Sequence, residues 1–281
     1  MKKILVTGAN GQIGSELFVL STSYPEFEWI FADRIKITLD NLELLKIQLN
    51  EIKPNVIFNC GAYTDVDKAE TEKELAFIIN YLAVELIAKY TYENNVKLIH
   101  VSTDYVFDGS SSSALNEEAE TNPINVYGES KLKGELACLK ENPNSIIIRT
   151  SWVYSKFGKN FVKTMQRLML ERDEINVVND QIGSPTYAAD LAQVLINIVR
   201  FCGWFPGVYN YSNEGEISWY EFALSIKEFG GYSCKVEGIA SSLYHTPAKR
   251  PRFSLLDKKK IKETYNLEIP CYKKSLKNMF I

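Results

Sequence analysis

Histidine is nearly missing from this chain, which carries only His100 and His245 in 281 residues. His100 lies inside an apolar run and reads as a core residue, no convincing Ser-His-Asp set can be assembled, and no G-x-S-x-G occurs, so serine-hydrolase chemistry is disfavoured. The five cysteines, Cys60, Cys138, Cys202, Cys234 and Cys271, are odd in number, widely spread and without any C-x-x-C. Neither a disulfide framework nor a zinc site is expected, and all five read as buried small hydrophobes. Charge of one sign is also lacking. A net charge of −3 leaves no long-range basic field, and the run from Lys258 to Lys262 reads as a solvated helix face, so nucleic acid is not an expected partner. No run approaches the ~18 apolar residues of a membrane span, and the apolar part of MKKILVTGAN is too short for a signal peptide. A cytoplasmic setting without membrane attachment is the expectation.

What is present is globular: 46% of residues are apolar and 24% charged, enough for one large α/β domain or two modest ones. Apolar runs at Ile4–Val6, Trp29–Ala32, Val56–Asn59, Leu98–Ser102 and Ile146–Arg149 read as buried parallel strands. Between them, Gln12–Leu20, Leu42–Ile52, Glu74–Asn94 and Val126–Leu139 read as crossover helices. This alternation predicts an α/β fold with a doubly wound parallel sheet over residues 1–150. Beyond Arg149 the pattern is less regular and richer in aromatics, with strand-like pieces near Ile175–Val178 and Val208–Tyr211. Residues 151–281 are therefore expected to form mainly a smaller lobe. The amphipathic helix Ala188–Arg200 is expected to return to the sheet.

Four stretches carry chemistry. TGANGQIG, Thr7 to Gly14, follows the first strand and opens a helix. Gly8 suits the tight turn, Gly11 the approach of a pyrophosphate and Gly14 close helix packing, with the helix N-terminus facing phosphates. FADR ends the second strand about 20 residues further on, where Asp33 suits a free ribose 2′-hydroxyl and Arg34 a 2′-phosphate, so NADH and NADPH both stay open. In NCGAYTDVDKAE, Gly61 and Ala62 are small enough for backbone to lie against a cofactor; Asp65, Asp67 and Glu70 read as an acidic surface loop. HVSTDYVFDG puts Ser102 or Thr103 at a strand's carboxyl end as a hydrogen-bond donor to a substrate carbonyl. Finally, VYGESKLKGE places Tyr127 and Lys131 four residues apart on one helical face. A phenol of pKa about 10 needs a fixed cation beside it to serve as a proton donor and acceptor near neutrality, and Lys131 is that cation.

With TGANGQIG, STDYVFDG and YGESK in this order, the chain resembles the extended short-chain dehydrogenase/reductases. More narrowly it is similar to the dTDP-4-dehydrorhamnose reductase family, through NCGAYTDVDKAE, VSTDYVFDG, NVYGESKLKGE, RTSWVYSKFGKNFVKTM, VVNDQIGSPTYAADLA and TPAKRPRFSLLD. These blocks span residue 4 to about 257. The resemblance implies a Rossmann-like domain with a C-terminal substrate-binding lobe, and the NAD(P)H-dependent reduction of the C4 ketone of dTDP-4-dehydro-β-L-rhamnose, a step that feeds polysaccharide synthesis. It further implies Tyr127 as proton donor, Lys131 on the nicotinamide ribose and Thr103 on the substrate oxygen. Gly11, Gln12 and Ile13 would line the pyrophosphate in a cofactor-binding turn bounded by Gly8 and Gly14, Asp33 would meet the adenosine ribose, and Ala62, Tyr63 and Thr64 would pass beneath the cofactor. Asp104, Trp152 and Arg250 would contact the sugar nucleotide. The chain departs from the family at Lys36-Ile37-Thr38, where Asp-Ile-Thr is usual, and at Tyr63, where histidine is common. Mg²⁺ is raised by the resemblance alone, since no ligand set is suggested by spacing; a homodimer is admitted in the same way. Two alternatives stand beside this reading: another nucleotide-sugar 4-reductase or epimerase, and a non-catalytic cofactor-binding regulatory subunit.

Overall fold

The computed structural model describes residues 1–280. Along the chain run β1 (Lys2–Thr7), α1 (Gln12–Ser21), β2 (Phe27–Ala32), α2 (Leu42–Ile52), β3 (Val56–Asn59), the short α3 (Val66–Ala69) and α4 (Lys73–Phe77), and α5 (Ala83–Glu93). A π turn, Ile78–Leu82, joins α4 to α5. Then come β4 (Lys97–Thr103), α6 (Val126–Glu141), β5 (Ile146–Thr150), β6 (Val153–Tyr154), α7 (Phe161–Glu171), β7 (Glu174–Val178), β8 (Ile182–Gly183), β9 (Thr186–Tyr187) and α8 (Ala188–Arg200). The last elements are β10 (Gly207–Tyr211), β11 (Ile217–Ser218), α9 (Trp219–Gly230), β12 (Lys235–Ile239), α10 (Lys259–Tyr265) and α11 (Tyr272–Phe280).

Six strands form one parallel sheet in the order β10-β5-β4-β3-β1-β2. The central strands β3 and β5 are buried along their whole length, as continuous apolar runs covered on both faces must be. One face packs Ile4, Val6, Phe58, Ile99 and Ile148 against Ile13 and Leu17 of α1 and the apolar side of α8. The other packs Leu5, Ile57, Leu98 and Ile147 against Leu45 and Leu49 of α2, Val84 and Ile87 of α5 and Cys138 of α6. Lys73–Glu93, the continuous α4–π–α5 helix, is long and apolar enough to cross a membrane. Its apolar side is spent instead on this core.

Helix starts follow local chemistry. Asn41 and Asn125 cap α2 and α6 by accepting from Leu44 N and Gly128 N, and Ser218 with Glu221 forms a capping box on α9. The stretch Val208–Tyr211, assigned from sequence to the smaller lobe, lies in the large sheet as β10, hydrogen-bonded to β5. The crossover through α8 brings it there and pairs the edge that β5 would otherwise leave open. The smaller lobe consists of three two-stranded pieces, β7 with β12, β8 with β11 and β6 with β9, around an aromatic-rich cluster that includes Tyr154, Tyr187, Phe222 and Tyr272. The cysteine expectation needs correction. Cys138 and Cys234 are buried, but Cys202 and Cys271 are exposed, since both lie in connections outside the sheet and helix cores, and Cys60 is only part-buried.

Candidate active site

Three sequence-distant segments meet at the carboxyl ends of β1, β3 and β4. The glycine turn adopts the geometry its composition suggests: Gly8 has φ of 66°, and a Cβ on Gly14 would sit 2.4 Å from Gly8 O. Gly11 differs. A Cβ there would meet nothing nearer than Gly8 O at 3.1 Å, so its outer side is open, as a cradle for a pyrophosphate requires. No side chain caps α1, which leaves its first-turn amides of Gln12, Ile13 and Gly14 to an anion. Gln12 turns its amide elsewhere, donating to Val153 O and accepting from Asn160, and thereby ties this turn to the smaller lobe.

Asp33 directly follows β2, with Oδ1 accepting from Ile35 N and Lys36 N, which leaves Oδ2 for a ribose hydroxyl, and Arg34 beside it is exposed. The loop through Ala62, Tyr63 and Thr64 is held by Asn80 of the π turn. Its carboxamide accepts from Tyr63 N at 2.8 Å and donates to Tyr63 O and to Ser130 Oγ of α6, both at 3.0 Å. Asn80 escaped the sequence reading; the signal was a lone carboxamide in the apolar stretch IINYL. The extra residue of a π turn is often found at functional sites.

Helix α6 approaches its neighbours through its glycines. A Cβ on Gly128 would lie 2.1 Å from Tyr105 O and one on Gly134 2.0 Å from Asn80 O, so only glycine lets the helix lie on the end of β4 and on the π turn. This contact brings Tyr127 to Thr103. Burial pushes the phenol up to about 12, offset in part by the nearby Thr103 hydroxyl. Lys131, 1% exposed, is lowered to about 8, chiefly by burial, with Glu135 the main opposing influence. Its Nζ donates to Val101 O at 2.8 Å and lies 3.4 Å from His100 Nε2. The expected lowering of the phenol by Lys131 is therefore not seen, because burial dominates and the ammonium is engaged behind the strand. His100 is buried as expected, yet it is bonded rather than packed as an apolar group. Glu135 in turn is gripped by Arg149 of β5, with Nη2 to Oε2 at 2.8 Å, and both are nearly inaccessible.

Around this pair lie polar atoms in want of partners. Ser102 Oγ and Asp104 Oδ2 are buried and unbonded, although Asp104 Oδ1 accepts from Thr103 Oγ1 at 3.2 Å. Burial raises the Asp104 carboxyl to about 6. Buried unsatisfied groups are uncommon, and here they fit a polar ligand. Trp152, two residues past β5, holds φ at 48° and stacks on Trp219 with centroids 3.7 Å apart. A positive φ on a bulky residue is strained and concentrates at ligand sites. Arg250 reaches across from the smaller lobe, but its fork is occupied: Nη1 and Nη2 donate to Asp67 Oδ1 and Oδ2 at 3.2 and 2.8 Å. For Mg²⁺, no group of three or more His, Cys, Asp or Glu among the described residues is arranged as a donor set.

Comparison with known proteins bears on this arrangement. The pattern of the family described as the RmlD substrate binding domain matches residues 1–281. The chain belongs to that family. Among RmlD-type relatives, it is 38% identical over 294 residues to a dTDP-4-dehydrorhamnose reductase of Aggregatibacter actinomycetemcomitans, covering 99% of this chain and 98% of the relative. A reductase of the same name from Sinorhizobium fredii is 39% identical over 99% of this chain and 96% of its own. The crystal structure of dTDP-4-dehydrorhamnose reductase from Bacillus anthracis, in complex with NADP, superposes with a TM-score of 0.94 at 37% identity, covering 100% of this chain and 99% of that one. The RmlD-type fold is thus shared along the whole length.

Proposed function

We propose that this chain reduces the C4 ketone of dTDP-4-dehydro-β-L-rhamnose to give dTDP-L-rhamnose, using NADPH or NADH. The observation that carries the reading is the approach of Tyr127 to Thr103 at the carboxyl end of β4, with Lys131 one helical turn further along α6 and the glycine turn open beside β1. Family membership narrows the reduction to this sugar nucleotide. The cofactor-binding role falls to the turn Gly8–Gly14 with Asp33, Arg34, Ala62, Tyr63 and Thr64. Most of the smaller lobe takes the sugar nucleotide, through Trp152 and Arg250, with Asp104 contributing from the larger one.

The bound nicotinamide supplies the hydride to C4. Thr103 and Tyr127 hold the C4 oxygen, and as negative charge grows there the Tyr127 phenol donates its proton to that oxygen. A phenol pushed up to about 12 is fully protonated near neutrality and so ready to donate. Lys131, one helical turn from Tyr127 and charged below about 8, would hold the nicotinamide ribose. Asp104 and Ser102 lose their unbonded state when the sugar's hydroxyls fill the crevice. Arg250 exchanges its Asp67 partner for the diphosphate, whose oxygens match its planar fork. The setting we infer is cytoplasmic, with a small-molecule substrate as the partner.

Oxidation of NADPH and NADH followed with dTDP-4-keto sugars, with the product identified, tests this reading. Formation of dTDP-L-rhamnose with either cofactor supports it. A product epimeric at C4 would transfer the chain to another nucleotide-sugar reductase. Cofactor binding without turnover of any 4-keto sugar would make it a regulatory subunit.

A further inference from the structure

A line of buried polar side chains crosses the sheet behind the proposed catalytic pair. Thr7, Asn59 and His100 are register partners on β1, β3 and β4, and all three are inaccessible. Thr7 Oγ1 lies 2.7 Å from Asn59 Oδ1, Asn59 Nδ2 lies 3.0 Å from His100 Nδ1, and His100 Nε2 lies 3.4 Å from Lys131 Nζ. At the far end Gly61 N donates to Thr7 Oγ1 at 3.0 Å. Burying three polar groups in one row is costly unless each is bonded, and a row of apolar residues would fill the same space without that cost. Its only charged terminus is Lys131.

The heavy atoms accept two proton arrangements, because a carboxamide can turn over and an imidazole can change tautomer. In one, Thr7 donates to Asn59 Oδ1, Asn59 donates to His100 Nδ1, and His100 Nε2–H donates to an uncharged Lys131 amine. In the other, the Lys131 ammonium donates to His100 Nε2, His100 Nδ1–H donates to the Asn59 carbonyl, and the Asn59 amide donates to Thr7. Every buried group in the row except the Thr7 proton stays bonded in both. The two arrangements differ by the one proton that Lys131 gives up to solvent when it loses its charge; the row itself keeps its own protons, moving the His100 ring proton from Nδ1 to Nε2 and turning the Asn59 carboxamide over.

We propose that Thr7, Asn59 and His100 are positioning residues that hold Lys131 in place in both of its charge states by reversing their hydrogen bonds together. This rests on the reductase reading only for its kinetic consequence. The other groups facing Lys131 are Glu135 and Cys138 of α6 and Cys60 after β3. Glu135, although bonded bidentately by Arg149, favours the charged lysine in both arrangements alike, and both thiols are pushed up to about 12 by burial and stay uncharged. His100 itself is held well below its ordinary value by burial and by Lys131, so it answers the lysine by changing tautomer rather than charge.

With two histidines in the chain, ¹⁵N-histidine labelling isolates the His100 ring. Between about pH 6 and 10, its Nδ1 and Nε2 signals are expected to exchange roles as Lys131 titrates, and to stop doing so in Lys131→Met. A tautomer that is constant over that range in the unmodified protein, or one that still changes in Lys131→Met, overturns the proposal. In turnover, His100→Leu removes an acceptor from the ammonium. It should lower kcat about tenfold or more and move the alkaline limb to lower pH by about half a unit, with cofactor affinity within about threefold. His100→Gln, which keeps a polar group toward Nζ, should recover most of both. Asn59→Asp, an independent variant should His100→Leu not fold, fixes the proton on His100 Nδ1 and should move the limb to higher pH. Unchanged limbs, or shifts in one direction for both, reject the row. An unmodified protein that reduces no 4-keto sugar sinks the reductase reading and leaves the ring signals to decide the row.

Discussion

The two faces of the sheet differ at their last row. On the face covered by α1 and α8, the rows run Val6–Phe58–Ile99 and stay apolar toward the edge, ending beside Cys60 and Val101. On the face covered by α2, α5 and α6, the row Leu5–Ile57–Leu98 gives way two residues later to Thr7–Asn59–His100. The same strands, with the same backbone, carry a packing surface on one side and a bonded polar row on the other. The difference coincides with Lys131, which α6 delivers to that side only. This polar row enters the core on the side where the Lys131 charge must be held.

If the α6 side carries the chemistry, its removal should be felt in rate alone. Tyr127→Phe is expected to retain cofactor binding and lose roughly 10²–10⁴-fold in turnover, the usual worth of a positioned acid. Turnover within about threefold of the unmodified enzyme at saturating substrate would take Tyr127 out of that role. One row below, Ile57→Ala should do the opposite. It should cost about 2–5 kcal/mol of stability in denaturant unfolding and leave turnover per folded molecule unchanged. A comparable loss of kcat there would erase the distinction between rows.

Asp104 sharpens the comparison through pH. Its folded-state value of about 6 lies above the ordinary 3.8, so the folded form resists ionisation. The unfolded chain therefore ionises first. The folded state is not penalised below the unfolded value, loses stability as pH rises through the interval between the two, and carries the whole penalty, about 3 kcal/mol, above the folded one. Asp104→Asn removes this titration. Its stability relative to the unmodified protein should thus rise by about 2–3 kcal/mol between about pH 4 and 7, measured by denaturant unfolding at both. A pH-independent difference would mean that Asp104 is ionised without penalty.

The smallest effect is expected across the crevice mouth. Arg250→Ala should raise KM about ten- to hundredfold, equivalent to about 1.4–3 kcal/mol, with kcat nearly unchanged. Since Arg250 pairs with Asp67, Asp67→Asn separates the two roles. Freed of its partner, Arg250 should bind dTDP as well as before or better. Equal dTDP dissociation constants for Arg250→Ala and the unmodified protein would leave the pair with a purely structural role.

Much of this was legible beforehand wherever the signal was local. Tyr127 and Lys131 share a face because they are one helical turn apart, and Asn125 three residues before Gly128 announces the start of that helix. The glycine turn could be read from its position between a strand and a helix. His100 could not be read as more than core. Its partners Asn59 and Lys131 are 41 and 31 residues away, and nothing in IHVST distinguishes a packed histidine from a bonded one. Arg250 and Asp67, 183 apart, were each read singly, the one as a phosphate ligand and the other as loop.

The sequence by itself determined the five strands and main crossover helices of residues 1–150, their order and their parallel winding, because hydrophobic period and turn chemistry act within a few residues. It also carried the proton donor and its neighbouring cation. Only the tertiary structure decided that Val208–Tyr211 completes the large sheet, that burial governs the Tyr127 phenol, and that Thr7, Asn59 and His100 stand in one row. Strand register and burial are set by the packing of the whole chain, and a hydrogen bond between side chains depends on both.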